Sequence, residues 1–400
     1  MIDVAGALAA IAAIPVARRG ERVALDAALW RTAADDLRLP RDQPPFDRAT
    51  MDGFAVALAP ATTRYRVVGT VAAGGAFDRA LMPGEAVKIM TGAPTPAGAT
   101  VVPYEVARVE GDQVECDPQA LVARRNIAAR GEDGRAGQVV IQAGTRLSPA
   151  VLAVAAGCGA REIAVATAPR VAIVVTGDEV GGSGEAGIAD TNGPYLTAFC
   201  TALGLPSTRV NAPDRPEALR AALAAAADAD LILSSGGVSG SDADHVAAVA
   251  RELGFVPLFH GVAMQPGKPV LLARREDGRL LMGLPGNPVG LMAGAHVLLL
   301  PLIDRLLGLR RAWRALPLAA AIANKGKRRQ FRPARLVDGG VRVLGWNGSG
   351  DFLAAAAADG FADLMPGVEL KAGDRVPFLA YVGAVAAGLM PNHLDRLEPA

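Results

Sequence analysis

The fold of this chain is decided by the stretch LILSSGGVSGSDAD at residues 231–244. Its apolar start predicts a buried strand, its Ser/Gly run predicts a loop, and the residues from 245 to 253 predict a helix. Paired glycines let a ligand approach the backbone, serines supply hydroxyl donors, and carboxylates suit a metal or a polar group. A structural turn whose Asp caps the following helix explains the pattern equally well.

Two other apolar runs end in loops of similar character. Val171–Val175 leads into TGDE at 176–179, and Leu280–Leu284 leads into PGNP at 285–288. Helices are predicted at 194–203 and 216–227, and a further strand at Val270–Ala273. This alternation predicts a parallel, doubly wound sheet. Because ligands bind at the carboxyl ends of strands in such sheets, we expect the three loops to line one crevice.

The flanking segments have a different character. Residues 1–37 predict two helices, at 3–14 and 24–36. Short apolar runs from Met51 to about Val114, separated by Gly and Pro, predict a small β domain. Strands predicted at 331–337, 341–344 and 376–379 indicate a small barrel that is separate from the α/β part.

Composition excludes several classes of function. The 400 residues, 51% of them hydrophobic, can bury several cores. With 41 basic and 40 acidic residues the chain has no overall field for nucleic acid or an anionic membrane. Its 3 cysteines lie far apart, which argues against a disulfide framework and a zinc knuckle and fits a reducing compartment. We expect a cytoplasmic protein with no nucleic-acid or membrane partner.

Two apolar segments could be mistaken for targeting or membrane segments. The N-terminal segment carries Asp3 where a signal peptide is basic, and it breaks at Pro15. The stretch 291–303 is interrupted by His296 and Pro301. Both are shorter than the roughly 20 residues that a membrane helix needs. We therefore expect an amphipathic helix at the N-terminus and a buried helix at 291–303.

Three polar segments of the first half are candidate ligand sites. They are Asp47–Val56, which contains two Asp and a Gly, Lys88–Ala99, which runs into a Thr/Gly/Pro loop, and the cationic loop at 121–137. Hydroxyl and backbone N–H groups suit a phosphate, and clustered arginines suit any anion. Ordinary turns and a solvated charged face account for the same residues.

A series of motifs resembles one known family. They are FDRATMDGFAV (46–56), KIMTGAPTPAGA (88–99), NIAARGEDGRAG (126–137), VAIVVTGDEV (171–180), DTN (190–192), SSGGVS with the following DAD (234–244), QPGKP (265–269), GLPGNPV (283–289) and GSG (348–350). In this order and spacing, the set is similar to the molybdopterin molybdotransferases, which comprise the bacterial MoeA proteins and the gephyrin E domain.

The resemblance implies a multidomain fold of the α/β plus β class. It consists of a doubly wound parallel-sheet (MogA-like) domain at 169–312, β-rich domains at 46–125 and 313–400, the latter barrel-like, and a discontinuous helical/extended domain at 1–45 and 126–168. It also implies an elongated homodimer. In such proteins the active site lies where the α/β domain of one subunit faces β-rich parts of the other.

The implied reaction inserts molybdate into adenylylated molybdopterin with Mg²⁺ and releases AMP. The catalytic positions that match are Asp52, Asp133, Glu179, Asp214 and Asp244, and we expect Glu179, Asp214 and Asp244 to bind the metal. The expected substrate-binding residues are Thr91, Thr176, Ser234, Ser235, Gly236, Gly237, Ser239, Lys268, Pro285, Gly286, Asn287, Pro288 and Ser349. A molybdopterin adenylyltransferase is a candidate partner.

The chain departs from the family pattern at three positions. Thr100 stands where the family often has an Asp, and Gly261 and Gln265 stand where some members have lysines. Lys268, or one of the arginines at 124, 125 and 130, would then supply charge for molybdate. Two other functions stay open from the sequence: adenylylation of molybdopterin with ATP, although no Walker loop is present, and a non-catalytic binding or scaffold role.

Overall fold

The computed structural model describes residues 1–16, 20–177, 187–238, 245–309 and 313–382. The helices are α1 (Val4–Ala12), α2 (Pro149–Gly157), α3 (Asn192–Ala202), α4 (Pro216–Ala225), α5 (His245–Glu252), α6 (Pro288–Gly294), α7 (Leu300–Leu307) and α8 (Phe352–Ala356). A π-helical turn, Ala295–Leu299, joins α6 to α7.

The strands cover most of the rest of the described chain. In chain order they are β1 (Gly20–Ala24), β2 (Leu37–Arg38), β3 (Arg48–Ala49), β4 (Gly53–Val56), β5 (Arg64–Val71), β6 (Glu85–Ile89), β7 (Thr100–Pro103), β8 (Ala107–Glu110), β9 (Gln113–Cys116), β10 (Ile127–Ala128), β11 (Val139–Ile141), β12 (Glu162–Ala166), β13 (Val171–Thr176), β14 (Ser207–Ala212), β15 (Leu231–Ser235), β16 (Val256–His260), β17 (Met264–Gln265), β18 (Leu271–Arg274), β19 (Leu280–Leu284), β20 (Arg314–Pro317), β21 (Ile322–Ala323), β22 (Arg329–Val337), β23 (Gly340–Val343), β24 (Gly360–Leu364), β25 (Glu369–Leu370) and β26 (Arg375–Ala380).

The chain divides into two compact units. The first comprises Met1–Asp35, Ala143–Leu152 and Arg161–Ala400, and the second comprises Asp36–Gln142 and Ala153–Ala160. Each unit is built from segments that are distant in sequence. Long-range pairing therefore decides which residues share a core.

The first unit contains a six-stranded sheet in the order β14-β13-β15-β19-β18-β16. The first four strands are parallel, with β13 paired to both β14 and β15, and β15 paired to β19. Alternate residues of β13 face opposite sides: Ile173 packs with α1, α3, α6 and α7, and Val174 packs with α4 and α5. Helices on both faces explain why these strands are continuously apolar. The predicted doubly wound sheet is confirmed.

The strand that we expected at Val270–Ala273 has a different orientation from its neighbours. It is β18, which runs antiparallel to β19 and carries β16 antiparallel on its other side. A short turn connects β18 to β19. The backbone N–H of Arg275 closes this turn by donating to the carbonyl oxygen of Arg279 at 2.8 Å. A parallel crossover needs a dozen or more residues. The sheet is therefore mixed, with an antiparallel pair added to its parallel part.

The helix that we predicted at 24–36 is wrong. The segment instead contains the end of β1 and a 3₁₀ turn at Leu25–Ala27. β1 pairs residue by residue with β12, and further along Trp30, Ala33 and Ala34 donate their backbone N–H groups to Leu147, Thr145 and Ala164. Tertiary pairing therefore uses the groups that a helix would need for its own ladder. The predicted helix at 3–14 is confirmed as α1, which Asp3 caps by accepting from Gly6 N at 2.7 Å.

The second unit confirms the predicted small β domain. Its main sheet has the order β7-β4-β6-β5-β9-β8. β4 is fully buried between β6 and β7, and its alternate side chains enter two different cores, with Ala55 in one and Phe54 in the other. The motif around 46–56 is thus part of the structural centre of this unit.

The C-terminal part of the first unit is barrel-like, as predicted. Its sheet has the order β17-β22-β24-β26-β20, and β23 pairs with β22. A bridge between Leu318 and Val341 connects the end of β20 to β23, so the path of strands returns to its start. A closed path leaves few unpaired edges.

The helical stretch from Pro288 to Leu307 has the length and hydropathy of a membrane helix. Its mean hydropathy over the most apolar window is 1.5, but 78% of that window is buried inside the protein. This pattern is typical of a core helix, as we predicted for 291–303. Its apolar surface packs against the sheet rather than facing outward.

Gly53 provides a test of the packing around β4. A Cβ atom at this position would lie 2.0 Å from the carbonyl oxygen of Val102, a backbone atom of the paired strand. Gly53→Ala is therefore expected to lower the free energy of unfolding by about 1–3 kcal/mol, measured by urea denaturation. Gly157→Ala, where a Cβ meets nothing within 4 Å, is the control and should leave stability unchanged or slightly higher. Equal stability of the two variants would contradict the close approach.

Candidate functional site

Three strand ends of the first unit line one cavity of about 350 Å³. Thr176 ends β13 and Gly177 follows it, Ser235 ends β15 and residues 236–238 follow it, and Pro285 to Pro288 follow β19. The remaining lining residues are Val175, Ile188, Ala189, Asp190, Thr191, Asn192, Asp214 and Pro269. The prediction that these three loops meet in one crevice is confirmed for the described residues.

The backbone of the Ser/Gly loop requires its two glycines. Gly236 and Gly237 have φ of +92° and +64°, which is the left-handed region that side chains rarely adopt. A Cβ on Gly236 would lie 2.9 Å from the carbonyl oxygen of Thr176, and one on Gly237 would lie 2.8 Å from Val246 Cγ2. The loop therefore passes directly against the end of β13, and the backbone N–H of Gly236 donates to Leu284 O at 3.0 Å. Three neighbouring strands are tied together at this edge.

A carboxylate and a hydroxyl meet on one wall of the cavity. Thr176 Oγ1 donates to Asp214 Oδ1 at 3.2 Å; Thr176 is buried and Asp214 is half-buried. Asp214 follows β14, the strand next to β13, so the sheet order itself brings the two side chains together. Both groups present hard oxygen atoms, which Mg²⁺ prefers.

A second carboxylate lies at the start of α3. Asp190 Oδ1 accepts the backbone N–H of Gly193 at 2.8 Å. Its other oxygen, Oδ2, is buried and has no hydrogen-bond partner within the described residues, and Arg209 Nη1 lies 3.9 Å away. None of the cavity-lining residues in the described part of the chain is lysine, arginine or histidine. The cavity is therefore a carboxylate-bearing site in which an anionic substrate requires added positive charge.

Asn192 connects two of the loops. Its side-chain Nδ2 donates to Ser235 Oγ at 2.8 Å and to the carbonyl oxygen of Gly286 at 2.6 Å. Asn192 and Ser235 are both buried. Asp190, Thr191 and Asn192 are not among the site residues expected from the sequence, although they form the DTN motif. Their contribution depends on the position of α3 at the mouth of the crevice, which periodicity does not reveal.

The expected residues of the first unit differ in how close they lie to the cavity. Thr176, Ser235, Gly236, Gly237, Asp214 and the PGNP loop residues Pro285, Gly286, Asn287 and Pro288 line it. Ser234 is fully buried on the opposite face of the sheet, toward α5, and its hydroxyl has no partner among the described residues. Lys268 is exposed next to the lining residue Pro269. Ser349 accepts the backbone N–H of Val289 at 3.0 Å, beside the PGNP loop.

The expected residues of the second unit form their own arrangement. Asp52 Oδ1 accepts from Thr91 N at 2.6 Å and from Thr91 Oγ1 at 2.7 Å. These bonds, the backbone one foremost, hold the pKa of Asp52 below its ordinary value. Asp133 is exposed, and its backbone N–H donates to Gln43 O at 2.9 Å. Asp52 and Thr91 thus act as a hydrogen-bonded pair.

Three expected site residues, Glu179, Ser239 and Asp244, lie outside the described residues. Within the described ranges, no group of three or more His, Cys, Asp or Glu side chains is placed to hold a metal ion. A cation in the cavity would therefore take one or two carboxylates and complete its shell with water and substrate oxygens, a coordination typical of Mg²⁺. Asp214 with Thr176 fits that requirement.

Sequence models of known families match almost the whole chain. Residues 2–159 match the MoeA N-terminal region (domain I and II), residues 172–305 match the probable molybdopterin binding domain, and residues 315–381 match the MoeA C-terminal region (domain IV). The second match contains every described residue that lines the cavity.

Individual proteins match over most of their length. A molybdopterin molybdenumtransferase of Staphylococcus aureus is 30% identical over 378 residues, which is 89% of this chain and 90% of that protein. One from Staphylococcus epidermidis is 29% identical over 373 residues, covering 88% and 89%. A solved molybdopterin biosynthesis MoeA protein from Pyrococcus horikoshii OT3 has a TM-score of 0.81 at 25% identity and covers 95% of this chain and 100% of its own.

The Asp52–Thr91 pair gives a prediction for titration. Thr91→Val removes one of the two hydrogen bonds to the carboxylate, so the pKa of Asp52 should rise toward its ordinary value, while Thr91→Ser should keep it low. The pKa in each protein is measured from the pH dependence of the Asp52 carboxyl ¹³C shift. Because the folded-state pKa is lowered, this pair stabilises the folded chain above the ordinary pKa of 3.8 and loses that effect as pH falls through the folded value. An unchanged midpoint in Thr91→Val would contradict the pairing.

Proposed function

Since the chain belongs to the molybdopterin molybdenumtransferase family, we propose that it inserts molybdate into adenylylated molybdopterin and releases AMP. The observation that carries this proposal is the cavity at the carboxyl ends of β13, β15 and β19. It combines glycine-dependent backbone, buried hydroxyls and carboxylates within the segment that matches a molybdopterin binding domain.

The proposed role of this cavity is to hold the pterin nucleotide by its phosphates. The substrate carries a diphosphate, and phosphate oxygens bind well to loop N–H and hydroxyl groups at strand ends. Ser235 and Gly237 supply such groups on one wall, and Gly286 and Asn287 face them from the next strand. Gly236 brings the backbone close to the ligand, while its own N–H donates to Leu284. The reaction needs no covalent nucleophile. The main tasks of the site are therefore to position the diphosphate and to stabilise the charge that develops on the leaving AMP.

We propose Mg²⁺ as the cofactor, held by Asp214 together with Glu179 and Asp244. When bound, Mg²⁺ supplies positive charge that neutralises the phosphates and the leaving group. The absence of cationic side chains from the described cavity lining supports this need. Thr176 donates its hydroxyl hydrogen to Asp214 and so holds that carboxylate in a fixed orientation.

Molybdate, the second substrate, is a dianion and needs a cation of the protein. Lys268 is the favoured source, because its exposed side chain stands beside the lining residue Pro269. The arginines that the sequence left as alternatives are engaged elsewhere: Arg124 pairs with Asp47, Arg130 pairs with Asp42, and Arg125 donates to Gln119 O. Ser349, whose backbone is tied to Val289, is proposed as a further substrate contact.

We further propose a cytoplasmic homodimer with four subdomains per chain, at the boundaries expected from the sequence. Asp52, Thr91 and Asp133 belong to a different unit from the cavity. We assign them to the cavity of the partner subunit, as the family resemblance implies. A molybdopterin adenylyltransferase is the proposed supplier of the substrate.

Asp214→Asn tests the activity and the role of the carboxylate. With adenylylated molybdopterin, Mg²⁺ and low molybdate, the wild-type protein should release AMP, and the variant should be slower by about 100-fold or more because a metal ligand is lost. Asp228→Asn, an exposed position outside the cavity lining, is the matched control and should retain full activity. No AMP release by the wild-type protein above a metal-free sample would overturn the proposal, and consumption of ATP would favour the adenylyltransferase instead.

Mixing two inactive variants tests the shared site. If Asp52 serves the partner's cavity, a mixture of Asp52→Asn and Asp214→Asn proteins, exchanged into mixed dimers, should recover about one quarter of wild-type activity. Half of the dimers then contain one intact site out of two. The dimer itself is checked by light scattering as twice the 40.9 kDa chain mass. A monomer, or a mixed dimer with no recovery, would contradict this arrangement.

A further inference from the structure

We propose that Asn192 is a positioning residue that makes the Ser235 hydroxyl a hydrogen-bond donor to a phosphate oxygen of the bound nucleotide. This inference rests on the proposed function and adds to it a named contact and the residue that orients it. It is carried by the two hydrogen bonds that the Asn192 amide makes between the loops after β15 and β19.

The orientation of the Asn192 amide follows from its partners. One of them is the carbonyl oxygen of Gly286, at 2.6 Å, and a carbonyl oxygen can only accept. The atom that faces it is therefore the NH₂ group. Because this same nitrogen also lies 2.8 Å from Ser235 Oγ, the second N–H donates to the hydroxyl oxygen. Both hydrogens of the amide are thereby used within the protein.

This arrangement determines what Ser235 can do. Its oxygen already accepts a hydrogen bond from Asn192, so its own O–H is left to donate. In the part of the chain that the structure describes, no acceptor for this proton lies within hydrogen-bonding distance, although Ser235 is 1% exposed and lines the cavity. A buried hydroxyl donor aimed at a cavity requires an acceptor there. The ligand should supply it.

The charge of the cavity selects the chemical class of that acceptor. Asp190 and Asp214 both line the cavity, and their carboxylates repel a ligand oxygen. Such an oxygen therefore binds there only when a metal ion or several hydrogen-bond donors contact it. Phosphate oxygens satisfy this requirement, since they bind Mg²⁺ and accept hydrogen bonds at the same time. The hydrogen bond from Asn192 occupies one lone pair of the Ser235 oxygen and leaves the O–H to donate to that acceptor.

Exchanging the amide for a carboxylate tests the inference. In Asn192→Asp the side chain can only accept, so the Ser235 O–H turns toward it and no longer reaches the ligand. AMP, titrated with Mg²⁺ and measured by calorimetry, is the probe. Ser235→Ala is expected to weaken AMP binding about tenfold, the loss of one hydrogen bond to a charged group. Asn192→Asp should weaken it by at least as much.

The decisive comparison is the double variant. If Asn192 acts through Ser235, adding Ser235→Ala to Asn192→Asp should produce no further loss of AMP affinity. In Asn192→Ala the hydroxyl is no longer held in its orientation, so Ser235→Ala should cost less than the tenfold seen in the wild-type background. Losses that multiply in the Asn192→Asp background would show that Asn192 has only a structural role and would overturn the inference.

The melting temperature of each variant shows whether it folds, so that a loss of AMP affinity is not mistaken for unfolding. Ser235→Thr, which retains a hydroxyl, should preserve most of the affinity, and if Asn192→Asp does not fold, the comparison of Ser235→Ala with Ser235→Thr still tests the donor. Equal affinities of these two would overturn the inference.

AMP binding with no AMP release would refute the proposed reaction but not the contact. Wild-type protein that fails to bind AMP would refute the assigned ligand class.

Discussion

The alignment of the strand ends of β13, β15 and β19 is the constraint on which the candidate site depends. Val175 lies opposite Ser235, and Ser235 lies opposite Leu284, so the three parallel strands stop at the same level. Loops that leave the sheet there are forced into contact. A shift of this register by one residue would exchange the faces of every side chain and would bury Ser235 on the side where Ser234 now lies.

Small residues make that alignment possible. Gly283 on β19 faces Ser234, and a Cβ there would lie 2.5 Å from Val238 Cγ1 and 3.2 Å from the Ser234 hydroxyl. Val238 can therefore pack directly against Gly283, where it also lines the cavity. Gly236 has the same effect against β13. The motif glycines thus allow neighbouring segments to pack closely at the strand ends, and this packing leaves the space for a ligand.

The two halves of the chain differ in how much their sequences reveal. In the α/β part, β13, β15, β19, α3 and α4 all lie within a few residues of their predicted positions, because a strand buried on both faces is continuously apolar and a helix has clear caps. In the N-terminal part, residues 24–36 have a helical composition but form β1 and extended segments, because β12 and Leu147 supply partners from more than 100 residues away in the chain. Local pattern cannot indicate such partners.

The sequence alone determined the class of this protein. Apolar runs, loop chemistry and motif order predicted a doubly wound sheet with β-rich additions, the meeting of three loops and the family, because these features are local and repeat along the chain. Only the tertiary structure decided which hydroxyl faces the cavity, that Asn192 bridges two loops, and that β18 and β16 run antiparallel. These depend on register and on contacts between distant segments, where a rotation of one residue changes the chemistry while leaving the pattern intact.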